Sequence, residues 1–474
     1  MAQAYDEVPY PDFAFSDQHP FHLCALAHLR GGPTPSLDGG RVLEIGCAGG
    51  ANLLFMAETA PQMQFVGVEL SKPQALRAMQ RVQESGLSNI SIIEGSFTDL
   101  PKSLEPFDFI LAHGLLSWIS PELRASFREI VRERLSPNGI LYVSYNCFPG
   151  WMFKGYVREL LLRFIPRDTA PAEQLLRIKE LLPKLAALIS PFNPARSWLV
   201  PLLEKLQLSD PSYLLHEYLS EWNESFWIDD LIREFSANGL FYLGETDPSM
   251  NAAYDISEAG LAAITSLAQE TSQREQALDF ARCPAFRRSL FCRAANQSPD
   301  LCEPSRIKGL SLGFSPSISL ASSKDGGFEL GKQNCASLNL NDAPAACVGA
   351  LVRAHPGYAT ASQIATELHR PENEIHIIVH QLIRAGYVTP LLRPLPITAS
   401  LNSSCRIPFV TKLLARTSNT TVTARGERIQ LTDAQRAAVI SDDFGQLTEA
   451  LKESLRSEGL LVSEAREKSF KSMP

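Results

Sequence analysis

Short apolar runs bounded by glycine, proline or charge alternate, through the first third of the chain, with stretches whose apolar positions recur at helical spacing. Val42-Leu43-Glu44-Ile45, Phe65-Val66-Gly67-Val68, Ile90-Ser91-Ile92-Ile93, Phe107-Asp108-Phe109-Ile110-Leu111-Ala112 and Ile140-Leu141-Tyr142-Val143-Ser144 read as strands, mostly apolar as strands covered on both faces are. A helix opens at Leu53-Leu54-Phe55-Met56, a second covers 73–85 until Gly86 stops it, and a third covers 121–135 ahead of a Pro137-Asn138-Gly139 turn. Strands alternating with helices predict an α/β domain around a Rossmann-like parallel sheet. Ahead of it, Tyr5-Asp6-Glu7-Val8-Pro9-Tyr10-Pro11 reads as extended, because each proline biases its predecessor away from the helical region. Ser16-Asp17-Gln18-His19-Pro20 then starts a helix over 22–29 that Gly31-Gly32 ends.

Beyond residue 155 the pattern becomes helical and amphipathic as far as residue 208, with Pro183 placed to kink it. Residues 303–345 are rich in serine, glycine and asparagine and mark a boundary with a few edge strands. Three short helices over 346–353, 362–368 and 372–385, and a strand from Gly386, give a winged-helix-like order. A strand pair and two amphipathic helices complete the same module over 421–462. The expected organisation is a core over 1–155, a helical region over 156–302, and a C-terminal winged-helix-like module over 303–474.

Length and composition narrow what such a chain does. At 474 residues it needs two or three domains, and 45% apolar with 20% charged residues is globular. No apolar run reaches the roughly 18 residues of a membrane span, and the acidic, proline-bearing start is unlike a signal peptide. The expectation is a cytoplasmic protein without membrane insertion. A net charge of −8 without a Lys/Arg block disfavours nucleic acid. The third C-terminal helix, ENEIHIIVHQLIRAG, carries only Arg384 beside His376 and His380, too few cations for several phosphates, so it reads as a protein-docking helix with its histidines on a solvated face. Nine scattered cysteines without C-x-x-C spacing indicate neither disulfides nor zinc. His216-Glu217-Tyr218 lacks a second ligand at metal spacing and reads as packing.

The candidate chemistry starts after the first strand, at Gly46-Cys47-Ala48-Gly49-Gly50-Ala51-Asn52. Small residues there let backbone approach a ligand, and Glu69, about 20 residues on, stands where a carboxylate binds ribose hydroxyls. Glu44 precedes the turn. A carboxylate there repels a pyrophosphate and suits a ligand bearing an ammonium and a sulfonium, which is S-adenosyl-L-methionine. The third strand's end adds Ser96, Phe97 and Asp99 as adenine readers. Carboxyl ends of parallel strands hold ligands, and those of the fourth and fifth carry His113, Trp118, Tyr145, Asn146 and, shortly after, Trp151. Trp118 serves equally as core or as substrate wall. No N-P-P-Y follows the fourth strand, which argues against nucleobase methylation.

The E-x-G-x-x-x-G order and the acid at Glu69 resemble motifs of class I methyltransferases. Taken together, YDEVPYP, LEIGCAGGANL, AHGLLSW and SYNCFPGW resemble the members that carry a methyltransferase regulatory domain, including rickettsial protein-lysine methyltransferases. Tyr213–Leu219, Gly239–Leu243, Leu278-Asp279-Phe280 and Phe286-Arg287 extend the likeness over nearly the whole chain, whereas Cys147, where threonine is expected, and the tail depart from it. The resemblance implies S-adenosyl-L-methionine held by Glu44, Gly46, Cys47, Ala48, Gly50, Asn52, Glu69, Leu70, Ser96, Phe97 and His113. It implies an acceptor approached past Tyr5, Tyr10, His113, Trp118, Tyr145, Asn146 and Trp151, with no metal. The leading segment is either a lid contributing Tyr5, Tyr10 and His19 or a packed arm. The helices after 155 are either a dimerising insertion, giving a homodimer, or a cap. A protein lysine is the implied acceptor, with a small molecule or natural product as the alternative. A non-catalytic scaffold is the other, against which Gly50 and Glu69 both stand.

Overall fold

The chain enters through α1 (Ala2–Glu7), an irregular stretch, and α2 (Pro20–Leu29). Tyr5, Asp6 and Glu7 therefore lie in a helical turn and not in an extended segment, because the prolines at 9 and 11 restrain only the residues beside them. In this computed structural model the described residues are 2–295, 299–314, 318–322, 328–332, 338–397, 405–416, 420–425, 428–441 and 448–463.

The sheet and its crossovers follow in the predicted order: β1 (Arg41–Ile45), α3 (Ala51–Thr59), β2 (Gln64–Glu69), α4 (Lys72–Ser85), β3 (Ile90–Glu94), β4 (Phe107–Ala112), α5 (Pro121–Arg134) and β5 (Leu135–Asn146). β5 starts earlier than predicted and absorbs the Pro137-Asn138-Gly139 turn, with a register shift against β4. Four helices come next: α6 (Trp151–Phe164), α7 (Pro171–Leu188), α8 (Arg196–Gln207) and α9 (Pro211–Tyr218). After α10 (Ile228–Ala237), β6 (Phe241–Glu245), α11 (Glu258–Leu267) and α12 (Thr271–Arg282), β7 (Phe286–Cys292) completes a seven-stranded sheet of order β3-β2-β1-β4-β5-β7-β6. β1 to β5 run parallel, with Leu43 beside Val66 and Ile110, and β7 lies antiparallel between β5 and β6.

Side chains alternate across the sheet. Val42, Phe109, Ile140 and Tyr142 pack with α2 and α3, while Leu43, Ile110, Leu141 and Tyr145 pack with Phe127 of α5 and Phe235 of α10. The helices α6 to α9 have their own core, built on Leu161, Leu182, Leu203 and Tyr218, and leave Phe164, Leu188, Phe192 and Leu208 exposed.

The remaining elements are β8 (Ser311–Phe314), β9 (Ile318–Ser322), β10 (Phe328–Lys332), β11 (Leu338–Leu340), α13 (Asp342–Ala354), α14 (Ala361–Leu368), α15 (Glu372–Arg384), β12 (Val388–Leu391), β13 (Cys405–Arg406), α16 (Phe409–Ala415), β14 (Thr420–Val422), β15 (Arg428–Gln430), α17 (Asp433–Ser441), α18 (Glu449–Ser457) and β16 (Val462–Ser463). The three helices and following strand form as expected. β12, however, pairs antiparallel with the upstream β8, whereas a wing would pair it with a strand that follows. His380 is buried, with Nε2 2.8 Å from the Cys302 carbonyl oxygen, and does not lie on a solvated face.

α2 is apolar nearly all round and is buried on all sides. Its outer neighbours come from the end of the chain: Leu391, Leu395, Val410 and Leu414 share the core of α2 and α3. The Leu392 N–H donates to the Phe21 carbonyl, and the Phe409 N–H donates to the Glu58 carboxylate.

Candidate active site

A cavity of about 510 Å³ opens over the carboxyl ends of β1, β2 and β4, of a size that takes a small organic ligand, roughly 300–1,000 Å³. Its floor is the turn between β1 and α3. The N–H groups of Gly46 and Cys47 both point to the Val68 carbonyl oxygen, at 2.8 and 3.2 Å, and the Gly50 N–H returns to the Cys47 oxygen. The Ala48 N–H donates to Glu69 Oε2 at 2.8 Å. These four donors are thus taken up inside the turn and make no cradle for a pyrophosphate. Gly46, Cys47 and Ala48 line the cavity, but Gly50 does not. Its φ of +80° turns the chain into α3, so its role is conformational. At Gly49 a Cβ would stand 2.2 Å from Asp12 Oδ1 and 2.4 Å from Arg81 Nη1, and the ion pair of those residues straps the N-terminal segment onto the turn.

Two carboxylates face this space. Glu69 is fixed by backbone donors, Oε1 receiving the Ser71 N–H and Oε2 the Ala48 N–H, both at 2.8 Å, while burial raises its pKa. Glu44 accepts from Asn52 Nδ2 at 2.9 Å through Oε1, and its buried Oε2 has no partner among the described residues. Burial pushes its pKa up to about 7. An unpartnered buried carboxylate oxygen at a cavity wall calls for a cation, and the ammonium of S-adenosylmethionine is one.

Asn52 also donates to Gln18 Oε1 and accepts the Phe15 N–H, and Gln18 Nε2 lies 2.9 Å from His113 Nδ1. The Tyr142 hydroxyl lies 2.8 Å from the same nitrogen. Because the Gln18 amide only donates, Nδ1 accepts and the ring proton rests on Nε2. Burial lowers His113 to about 4, so the ring is neutral at neutral pH. Phe15 packs on it with ring centroids 4.1 Å apart.

Tyr5, Tyr10, Trp118, Leu70, Ser96 and Phe97 also line the cavity as expected, but Asp99 is exposed and lies outside it. Three expected wall residues are corrected. Tyr145 points to the opposite side of β5 from Tyr142 and Ser144, and its hydroxyl meets Ser289 Oγ at 2.7 Å in the core. Asn146 is buried against Asn223, with Nδ2 donating to Oδ1 at 3.0 Å, and Trp151 is buried at the start of α6 under the Lys154 ammonium. His19 also misses the cavity; it caps α2 and meets Thr59 Oγ1 at 3.1 Å. Period-two alternation along β5 decides the first case, and the path of the chain after Asn146 decides the next two.

Sequence reasoning missed Gln18, Tyr213, His216, Glu217 and Arg428, all but Gln18 in the cavity wall. His216 stacks on Tyr5 at 4.2 Å, and its Nε2 donates to the Val8 carbonyl. The sequence around His216-Glu217 predicts packing, and the structure puts both residues in the cavity wall. Arg428, whose guanidinium covers Phe13 at 4.1 Å, comes from a short hairpin far along the chain and carried none.

Residues 42–139 match the family described as a methyltransferase domain, and residues 210–293 match the predicted methyltransferase regulatory domain. The Rickettsia prowazekii protein RP028 is 34% identical over 232 residues, covering 49% of this chain and 93% of its own length. The chain belongs to the class I S-adenosylmethionine-dependent methyltransferases with a methyltransferase regulatory domain. A second R. prowazekii protein, RP789, is 32% identical over 292 residues; the match covers 61% of this chain and about half, 52%, of that relative. The structure of PKMT2 from Rickettsia typhi in complex with AdoHcy superposes with a TM-score of 0.77 at 23% identity, over 98% of this methyltransferase and 95% of that chain, and establishes the shared fold. The cofactor of this methyltransferase is S-adenosylmethionine.

Proposed function

We propose that the chain methylates lysine side chains of a protein. The observation that carries this reading is the wall of the cavity away from the glycine turn, which Tyr5, Tyr10, Trp118 and Tyr213 share with buried Glu217. Aromatic faces and a carboxylate suit an alkylammonium better than a planar or anionic acceptor. The fold likeness to PKMT2, a protein lysine methyltransferase, supports the same class, at 22% identity and a TM-score of 0.80.

Bound S-adenosylmethionine supplies an electrophilic methyl group on a sulfonium. Glu44 Oε2 pairs the cofactor's ammonium, and the side chain of Glu69 accepts the ribose hydroxyls. Leu70 and Phe97 pack the adenine beside Ser96. Gly46, Cys47 and Ala48 give close backbone approach, while Asn52 and neutral His113 hold Glu44 and the N-terminal segment in place. The residues' task is alignment and exclusion of water, since an in-line displacement needs little else. Closure by the N-terminal segment serves the exclusion. The exposed apolar residues of α6 to α8 suit a homodimer.

The test is incubation with methyl-labelled S-adenosylmethionine and lysine-containing bacterial surface proteins, followed by mass mapping of the label. Label on lysine Nζ supports the reading. Label only in low-mass products favours a small-molecule acceptor instead.

A further inference from the structure

A lysine acceptor arrives protonated and must lose a proton before its nitrogen can attack, so the cavity needs a group to receive it. Tyr5, Tyr10 and Tyr213 are pushed far above the neutral range by burial and by the nearby Glu217 carboxylate, and cannot take a proton at neutral pH. His113 Nδ1 is engaged by Gln18 and Tyr142. His216 donates its Nε2 proton to the Val8 carbonyl and stacks on Tyr5, and burial lowers its pKa, which leaves the ring a weak base. Glu44 and Glu69 belong to the cofactor end.

Glu217 is left. It stands at the end of α9, lines the cavity and is 7% exposed, yet its carboxylate receives no hydrogen bond from any described residue. The groups that face it are Tyr5 and Tyr10 from the N-terminal segment, Tyr213 and Tyr218 from its own helix, and Lys154 from α6. Lys154 is its one cationic neighbour among the described residues, and that ammonium lies 4.8 Å from the Trp151 ring centroid. A largely buried carboxylate that receives no hydrogen bond from the described residues, among tyrosines at a cavity wall, is placed for a ligand to complete it.

Resting on the lysine reading above, we propose that Glu217 receives the acceptor's ammonium in this aromatic ring and takes its proton. The ammonium passes one proton to a Glu217 carboxylate oxygen, leaving a neutral amine and a carboxylic acid. The amine lone pair then forms the N–C bond to the methyl carbon as the C–S bond breaks, giving a methylammonium and S-adenosylhomocysteine. The carboxyl returns its proton to water before the next turnover. Burial holds Glu217 at about 7, so it exchanges protons in the neutral range.

The test uses the full chain loaded with S-adenosylhomocysteine and titrated with n-butylammonium, a lysine side-chain probe, and with 1-pentanol as its uncharged counterpart. Butylammonium binding to the wild type should weaken at least tenfold in Glu217→Gln, with Glu217→Asp between them and pentanol unaffected. S-adenosylhomocysteine affinity should stay within threefold in both variants, which reports intact folding and an intact cofactor end. Wild-type affinity for butylammonium should rise with pH up to about 7 and be flat in Glu217→Gln. Equal binding in wild type and Glu217→Gln, or none in either, overturns the inference. Bound butylamine that wild type never methylates when S-adenosylmethionine replaces the product overturns the proton role. Failure of the wild type to bind S-adenosylhomocysteine overturns the cofactor assignments, and this inference with them.

Discussion

At the scale of single residues, two carboxylates on the adjacent strands β1 and β2 are set up differently by their donors. Glu69 is held by the backbone N–H groups of Ala48 and Ser71, and we propose that it accepts the ribose hydroxyls. Glu69→Ala should cost about 1.5–3 kcal/mol, roughly 10- to 150-fold in S-adenosylmethionine affinity, measured by isothermal titration. Among the described residues only Asn52 donates to the Glu44 side chain, and burial lifts it to about 7 from 4.5. Since a raised carboxyl prefers its proton in the folded state, Glu44 stabilises the cofactor-free protein fully below about 4.5, and that contribution is gone once pH has risen through about 7. The ammonium of the cofactor requires the ionised form. Affinity should therefore fall by about tenfold per pH unit below 7, and Glu44→Gln should bind weakly with that slope removed. A wild-type profile flat between pH 5.5 and 7 would refute the pairing.

At the scale of elements, the N-terminal segment and the ion cluster behind β7 decide how the site is held. The Asp12–Arg81 pair, the Ser71 hydroxyl donating to Asp6, and Phe15 on His113 fasten the segment over the cavity. Deleting residues 2–15 removes Tyr5, Tyr10, Phe13 and Phe15 from the wall, and S-adenosylmethionine should then dissociate at least tenfold faster in stopped-flow measurements. Arg287 is fully buried and meets Glu245, Glu275 and Asp279. Arg287→Ala strands three carboxylates, and breaking such a buried pair costs about 3–5 kcal/mol. Denaturant titration should show that loss, or no folded protein at all. The family-like Leu278-Asp279-Phe280 and Phe286-Arg287 stretches carry this cluster.

At the scale of the whole molecule, the end of the chain is packed into the same core as its beginning. Leu391, Leu395, Val410 and Leu414 cover α2 and α3, His22 Nδ1 lies 2.9 Å from the Pro390 oxygen, and Arg393 pairs with Asp38. Arg428 reaches the cavity wall from the same region. Truncation after residue 302 exposes the apolar outer face of α2 and should yield aggregated protein, while the full chain should melt in a single calorimetric transition with a midpoint raised by S-adenosylmethionine. No helix among the described residues is long and apolar enough to cross a membrane.

By itself, the sequence determined what depends on neighbours in the chain: the strand and helix order of the sheet, the tight turn at Gly46–Gly50, and the carboxylates at positions 44 and 69. Each follows from periodicity, from backbone freedom at glycine or from spacing, so each is local. Only the tertiary structure decided which of two adjacent strand residues faces the cavity, taking Tyr142 to His113 and Tyr145 to the core. It alone placed β12 beside β8, Arg428 beside Phe13, and Glu217 among tyrosines from the other end of the chain. Those contacts join residues separated by tens to hundreds of positions. Burial, which sets the protonation of Glu44, His113 and Glu217, exists only once such distant surfaces have met.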